Sequence, residues 1–577
     1  MKHILPRKMR INILILGALT IVFAGIGLHW TLAYNLGQPV NIDEGGYLCI
    51  ALNDSENWVS HGLFGFIRAV DSSSIQAPIT TGVTGFLFVL FGVHMALALL
   101  VPLLFYIATI WVVYFLAEDL GSRGASLLTA ILVACCPPIL AYSRDYIFAV
   151  PAMFFYTLSV LALIKSDHFS NRKWAIIFGI ACGLTPLART VTIAFIPGLW
   201  LAALLYALTS EDARKTFRTF CWSIVIAIFV ASLWLVRSGV YVFKYLTNYG
   251  YGSHAKEYGS ALHINLLGIL LHALRIINES SNFLYFLVFV SALLAALLVC
   301  VWTRLDGLKK FVKSKELLLL ICIFEPLAAL CSTQNQGTGF FVPVLPVLIA
   351  LSIVSLWRWS CGNRVYKAVC SLLLLIVAAS GLLPALSATS DLARERHLGY
   401  SSIGTLEITN GLGVTQQWES GDGYRSQWPA LPVSLQQGRE WVEFNIQTAR
   451  DIKALGGHNP TVGFGFVHVL YNTSTVALEE NLLYGHILGY GFYGLDPVVT
   501  GDSVNGDTAW LTTGPGRNIC VLLTAHALNP AIVPFALGIN QSRLEQAAMQ
   551  AGFQQQTQLP MPDGNLVLVW RRPSKCT

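Results

Sequence analysis

Residues 11–47 read INILILGALTIVFAGIGLHWTLA, then YNLGQPV, then Asn41-Ile42-Asp43-Glu44-Gly45-Gly46-Tyr47. The first piece, 11–33, is an uninterrupted apolar run of the length a bilayer crossing needs, roughly 20 residues. A cleavable signal would have a shorter apolar core and a small-residue cleavage site, so the run reads as an anchored helix. Lys2, Arg7, Lys8 and Arg10 stand before it, and two adjacent carboxylates follow it at what would be the opposite membrane surface.

Outward from this stretch the apolar signature recurs. Of 577 residues 55% are hydrophobic and 12% charged, against about 25% charged in an ordinary soluble domain. A soluble enzyme, a disordered chain and a secreted disulfide scaffold are excluded together, leaving a polytopic α-helical membrane protein. About eleven spans are expected, near 11–33, 94–117, 124–141, 146–164, 174–188, 191–208, 219–236, 281–303, 316–331, 340–357 and 367–387. With the N-terminus inside, nineteen basic residues of the membrane region fall on the cytoplasmic side, Arg123, Lys165, Lys315 and Arg358 among them. Seven fall opposite: Arg68, Arg144, Arg189, Arg237, Lys244, Lys256 and Arg275. The positive-inside rule then places the N-terminus in the cytoplasm, and an odd number of spans exports the C-terminal region, with the plasma (inner) membrane as the expected location. The Lys and Arg lie in short loops between apolar runs, which argues for a membrane surface and no nucleic-acid partner.

The chain divides into a membrane region, 1–387, and an exported soluble domain, 388–577. The first carries 26 Lys/Arg against 16 Asp/Glu, the second 11 against 15. Two exported loops, 34–93 and 238–280, are too long for mere connections. The first holds amphipathic pieces at Tyr47–Leu52 and Leu63–Val70 that would lie on the membrane surface. The second is rich in Tyr241, Lys244, Tyr245, Tyr249, Tyr251, His254, Lys256 and Tyr258, and leads into an amphipathic run from Leu266 to Ile277. In the exported domain a helix over Glu440–Leu455, strands over Thr461–Leu470, Ile519–Thr524 and Asn565–Arg571, and a helix over Gln541–Ala551 predict an α/β fold. Of twelve cysteines only Cys520 and Cys576 fall there, allowing at most one disulfide.

The Asp43-Glu44 pair after the first span resembles the Asp-Glu motif of the GT-C class of membrane glycosyltransferases, particularly protein O-mannosyltransferases and the aminoarabinose transferase of lipid A. Further motifs continue the resemblance in order: Gln76-Ala77-Pro78 and Phe91-Gly92 before the second span, Ser143-Arg144-Asp145 at the site of the family's second acidic residue, Gly183-Leu184-Thr185-Pro186-Leu187-Ala188-Arg189, and Phe341-Val342-Pro343-Val344-Leu345-Pro346. They cover the membrane region, about two thirds of the chain. There are departures: Ala77 stands where the aminoarabinose branch often has Lys, and a basic residue near Phe340-Phe341 is missing.

The resemblance implies transfer of a sugar from a polyprenyl-phosphate donor to an acceptor hydroxyl on a lipid, glycan or protein, at the outer membrane face and with inversion. An acceptor hydroxyl is a poor nucleophile and needs a carboxylate base, a role that falls to Asp43. A phosphate leaving group needs cationic stabilisation, for which a guanidinium fork is suited. Arg189 is the first candidate, with Arg144, Arg237 and Lys244 as alternatives that would otherwise anchor helix ends at the interface. Asp145 would orient the acceptor or pair with Arg144, and Glu44 would bind acceptor or support a metal. Asp43-Glu44 alone offers too few ligands for a committed Mg or Mn site, so no cofactor is assigned and a divalent cation stays open. Glu325, beside Pro326 in the ninth span, costs roughly 3 kcal/mol in lipid and should face the protein interior. Two other readings remain: a transporter or flippase of lipid-linked saccharide, which would need a polar path through the helices, and a non-catalytic assembly subunit.

Overall fold

The computed structural model describes residues 7–72, 75–121, 123–252, 255, 266–279, 283–305, 314–333, 339–359, 363–386, 405–408, 412–416, 435–457, 460–466, 468, 470–485, 492–494, 503–526 and 540–576. His254, Lys256 and Tyr258 of the second loop lie outside them.

A helix stands at each of the eleven expected spans. They are α1 (Arg7–Trp30), α4 (Met95–Asp119), α5 (Arg123–Cys135), α7 (Ala149–Lys165), α8 (Arg172–Ala188), α9 (Ile196–Leu208), α10 (Ala213–Tyr251), α12 (Phe283–Leu305), α13 (Lys315–Cys331), α14 (Leu345–Trp359) and α15 (Arg364–Leu386). Among the described residues, five stretches are long and apolar enough to cross a membrane: Ile11–Ala33, Met95–Asp119, Thr190–Leu208, Ala213–Tyr251 and Arg364–Leu383. Shorter apolar helices accompany them. One continuous core, running from Leu16 through Tyr106, Tyr156 and Phe178 to Val354, joins the helices. Ile21, Val236 and Phe243 stay exposed, as side chains facing lipid would be. Glu325 packs against Gly198 of α9, so close that a Cβ on Gly198 would lie 2.6 Å from its Oε2, consistent with the inward placement expected of it.

Proline sets the breaks. Pro137 disfavours helix at the residue before it, so Cys136 turns extended (ψ 122°) and the 124–141 run divides into α5 and the short α6 (Pro137–Tyr142). The next turn, Ser143–Phe148, leads directly into α7.

The two long loops expected at 34–93 and 238–280 depart from expectation by carrying helices in their described residues. The first contains α2 (Ile42–Ser72), kinked at Gly62 where φ is 67°, and α3 (Pro78–Phe91), so its two short amphipathic pieces are parts of one long bent helix. The second loop is shortened because α10 does not stop at 236. Its 39 residues contain no proline, and at 1.5 Å per residue it reaches about 58 Å, nearly twice the roughly 30 Å hydrocarbon thickness. The amphipathic run that follows is α11 (Leu266–Glu279).

At one end of the bundle Lys165 pairs with Asp119 at 2.6 Å, Arg358 pairs with Glu316, and the Lys315 Nζ donates to the Asp119 carbonyl at 2.7 Å. Three basic residues assigned to the cytoplasmic side therefore meet in one network.

In the C-terminal region a small hairpin of β1 (Thr405–Ile408) and β2 (Leu412–Gln416) precedes α16 (Leu435–Gly456). A five-stranded sheet follows, in the order β4 (Phe492–Gly494), β3 (Val462–Phe464), β5 (Val521–His526), β7 (Leu566–Arg571), β6 (Gln554–Pro560). β3 runs parallel to β4 and β5, while β5 with β7 and β7 with β6 run antiparallel. The central strands VLLTAH and LVLVWR are apolar on both sides, the pattern of a sheet covered on both faces. Val521, Leu523, Val567 and Val569 pack with Trp441, Ala449 and Ile452 of α16. Leu522, Leu568 and Trp570 pack with α18 (Val504–Thr512) and α19 (Gln541–Gln550). The strand expected over Thr461–Leu470 is only three residues long, because the chain then turns back on itself through the His468–Tyr471 pairing into α17 (Thr473–Tyr484). Cys520 and Cys576 form a disulfide, Cα to Cα 4.9 Å.

Candidate active site

The Asn-Ile-Asp-Glu sequence is first of all a helix start. Asn41 Oδ1 accepts from the backbone N–H of Asp43 and of Glu44, each at 2.9 Å, and Glu44 Oε2 accepts from Asn41 N at 3.1 Å. This is the reciprocal cap of an Asn-x-x-Glu box. Glu44 Oε1 accepts from Tyr146 N at 3.0 Å, tying α2 to the Ser143–Phe148 turn. Both Glu44 oxygens are therefore committed to backbone donors and the side chain is buried. These contacts give Glu44 an architectural role in seating α2.

Asp43 differs. In the first turn of α2, where the helix dipole favours a negative charge, it is accessible to solvent yet surrounded by protein. That enclosure pushes its carboxyl above the ordinary value. The Arg189 charge pulls it down and Glu44 pushes it up.

Arg189 ends α8 in extended conformation (φ −157°, ψ 122°), because Pro186 within the last turn and the Thr190–Phe195 3₁₀ turn after it interrupt the helix. Its Nη1 donates to the Gly339 carbonyl at 2.6 Å, and its guanidinium sits over the Phe340 ring, 4.9 Å from the centroid. Gly339 has φ 79°, and a Cβ there would fall 2.6 Å from the Tyr142 hydroxyl. The charge of Arg189 acts on Tyr142, Tyr47, Tyr245 and Asp43. Tyr47 in turn stacks on Phe148 at 4.0 Å, and Tyr245 lies beside Tyr249, ring centroids 4.6 Å apart.

Asp43 and Arg189 thus lie within electrostatic reach of each other, and the Ser143–Phe148 turn that carries Arg144 and Asp145 is tied to α2 through Glu44. Arg144 is buried with its guanidinium over Trp30, 4.7 Å from the ring centroid. Asp145 is buried in the same turn. Arg237 pairs with Asp71 at 2.7 Å at the far end of α2, and Lys244 is exposed on α10. Sequence reasoning missed Tyr47, Tyr142, Tyr245 and Phe340 as site residues. The signal for Phe340 was present, since it occupies the place where a basic residue was missing and instead seats the arginine contributed by α8. Among the described residues no cluster of three or more His, Cys, Asp or Glu is placed to hold a metal.

Residues 76–236 match the family described as dolichyl-phosphate-mannose-protein mannosyltransferase. None of the curated proteins matches the sequence. Among solved structures, ArnT from Cupriavidus metallidurans in the apo state superposes with a TM-score of 0.52 at 14% identity, covering 96% of this chain and 97% of that one. ArnT bound to undecaprenyl phosphate gives 0.53 at 14% identity and the same coverage. The Archaeoglobus fulgidus oligosaccharyltransferase gives 0.52 at 13% identity, covering 95% of this chain and 72% of that one. The chain has the fold of the GT-C membrane glycosyltransferases.

Proposed function

We propose that the protein is a glycosyltransferase that moves a sugar from a polyprenyl-phosphate carrier to an acceptor hydroxyl at the outer face of the plasma membrane, with inversion at the sugar carbon. The observation that carries this reading is that Asp43 and Arg189 lie within electrostatic reach of each other, beyond the end of the first span. A base and a phosphate-binding fork are the two groups this transfer needs. Support also comes from ArnT, whose structure has been solved with undecaprenyl phosphate, and from the mannosyltransferase family match.

In this reading Asp43 removes the proton from the acceptor oxygen as that oxygen attacks the anomeric carbon. The bond from that carbon to the phosphate oxygen breaks, and its electron pair leaves on the carrier phosphate. Arg189, held on Gly339 and Phe340, keeps further N–H groups for the phosphate oxygens, whose charge grows as the bond breaks. The membrane region 1–387 carries the chemistry, and the domain 388–577 shapes acceptor access. The Cys520–Cys576 disulfide fits an oxidising compartment and hence export of that domain.

The test is Asp43→Asn in purified protein given an undecaprenyl-phosphate sugar donor. Transfer falls about 10² to 10⁴-fold while undecaprenyl phosphate binding is retained. Parental rates in the variant, or a product that keeps the donor's anomeric configuration, overturn the mechanism. A reporter fused after Arg571 tests the topology, and a cytoplasmic signal overturns the outer-face assignment.

A further inference from the structure

Directly after Asp43-Glu44 come two glycines inside a helix, Gly45 and Gly46. Glycine is among the poorest helix formers, so a pair in the first turns of the helix that presents the base needs a reason. The structure supplies one from the other end of the chain. A Cβ on Gly45 would lie 3.1 Å from the Ser474 carbonyl carbon, 3.2 Å from its oxygen and 3.3 Å from Thr475 N, and a Cβ on Gly46 would lie 3.4 Å from Ser474 Oγ. Ser474 and Thr475 form the first turn of α17, held by a capping box on Asn472.

The contact continues along both helices. Cys49 Sγ donates to the Ser474 carbonyl at 3.8 Å, Asn481 Nδ2 donates to Cys49 Sγ at 3.6 Å, and Leu478 packs with Leu48, Ala51, Leu52 and Tyr146. Tyr146 is the residue whose N–H is held by Glu44. Gly438 of α16 closes on Gln38 and Pro39, just before the cap. The segment from Gln38 to Leu52, with Asp43 in its middle, is therefore clasped by two helices of the C-terminal domain.

From this clasp we infer that the C-terminal domain is a working part of the catalytic centre: α17, seated on Gly45 and Gly46, holds Asp43 in the position from which it meets the acceptor. Gly45, Gly46 and Ser474 are positioning residues, and the inference rests on the reading of Asp43 as the base. It extends the role of the C-terminal domain from shaping acceptor access to setting the geometry of the chemical step.

Gly45→Ala gives a sharp test, because alanine improves the helix itself and harms only the contact with Ser474 and Thr475. If the contact positions Asp43, this variant exchanges backbone hydrogens faster in 42–52 and 473–484, and Asp43 is labelled by a water-soluble carbodiimide at an altered rate. Turnover drops about tenfold to 10²-fold, the cost of a small misplacement of a reacting group, while undecaprenyl phosphate affinity holds. Gly46→Val does the same through the Ser474 side chain, and adding Ser474→Gly to it restores exchange, labelling and turnover. Parental exchange and labelling in Gly45→Ala, or no restoration in the double variant, overturn the inference. Exchange and labelling are read without any transfer assay, so a chain that transfers no sugar overturns the proposed function and leaves the clasp to be judged by itself.

Discussion

Arg189 and Gly339 are joined by a 2.6 Å hydrogen bond from guanidinium to carbonyl across 150 residues of sequence, with Phe340 under the cation. One dipeptide thereby fixes where this arginine is held. Arg189→Ala removes a charge-assisted contact of about 1.5–3 kcal/mol, so undecaprenyl phosphate affinity should fall about 10- to 10²-fold, with turnover falling too. Arg189→Lys should recover only part of the loss, because an ammonium cannot bond Gly339 and grip phosphate as a fork. Equilibrium binding and single-turnover rates on both variants check this.

Gly339→Ala attacks the same anchor from the other side. At φ 79° any side chain is strained, at about 1–2 kcal/mol, and the new methyl meets the Tyr142 ring. The variant should unfold at lower temperature and bind undecaprenyl phosphate more weakly, although residue 339 supplies no side chain to the parental site. Thermal unfolding and a binding isotherm decide it.

Glu44→Gln should behave as an architectural lesion. Glutamine has one acceptor oxygen where the carboxylate offers two, so either Asn41 N or Tyr146 N loses its bond, at about 1–3 kcal/mol for a buried donor left alone. Stability should drop, and turnover should fall less than in Asp43→Asn. A variant as inactive as Asp43→Asn with unchanged stability would show that Glu44 acts on substrate directly.

The clasp helix α17 should also make stability pH-dependent. Burial raises Glu479 to about 7 and Glu480 to about 8, with Lys453 opposing the shift at Glu480. Both lie above the ordinary 4.5, so between these values the folded chain holds protons the unfolded chain has released. Their contribution to stability is full below about pH 4.5 and is lost as pH rises through 7 and 8. Unfolding temperature should therefore decline from about pH 4.5 to about pH 8 and level off above it, and Glu480→Gln should flatten the decline. A thermal series on the two proteins measures it.

What the sequence made legible was what short-range physics encodes. Apolar runs located the eleven span helices, the apolar stretches VLLTAH and LVLVWR located the two central strands, and Asp43 and Arg189 stood out through the motifs in which they sit. Long-range pairings were not legible. Nothing near Gly45 announces Ser474, and nothing near Arg189 announces Phe340, because those contacts exist only once the bundle and the C-terminal domain have packed. The 238–280 stretch read as a loop for a related reason: its tyrosines and Lys244 look like solvent-facing polarity, yet in α10 they continue a helix already formed, where propagation is easier than initiation.

That continuous helix acts as a ruler. Tyr245 rides on the same rigid rod that begins at Ala213 among the cytoplasm-assigned residues, so its height and bearing at the site are fixed by counting residues. One residue inserted midway would lift it about 1.5 Å and swing it about 100° away from Asp43, whereas four would nearly restore its bearing yet leave it about 6 Å too high. The length of α10 is thus a dimension of the candidate site, set by every residue between Ala213 and Tyr245.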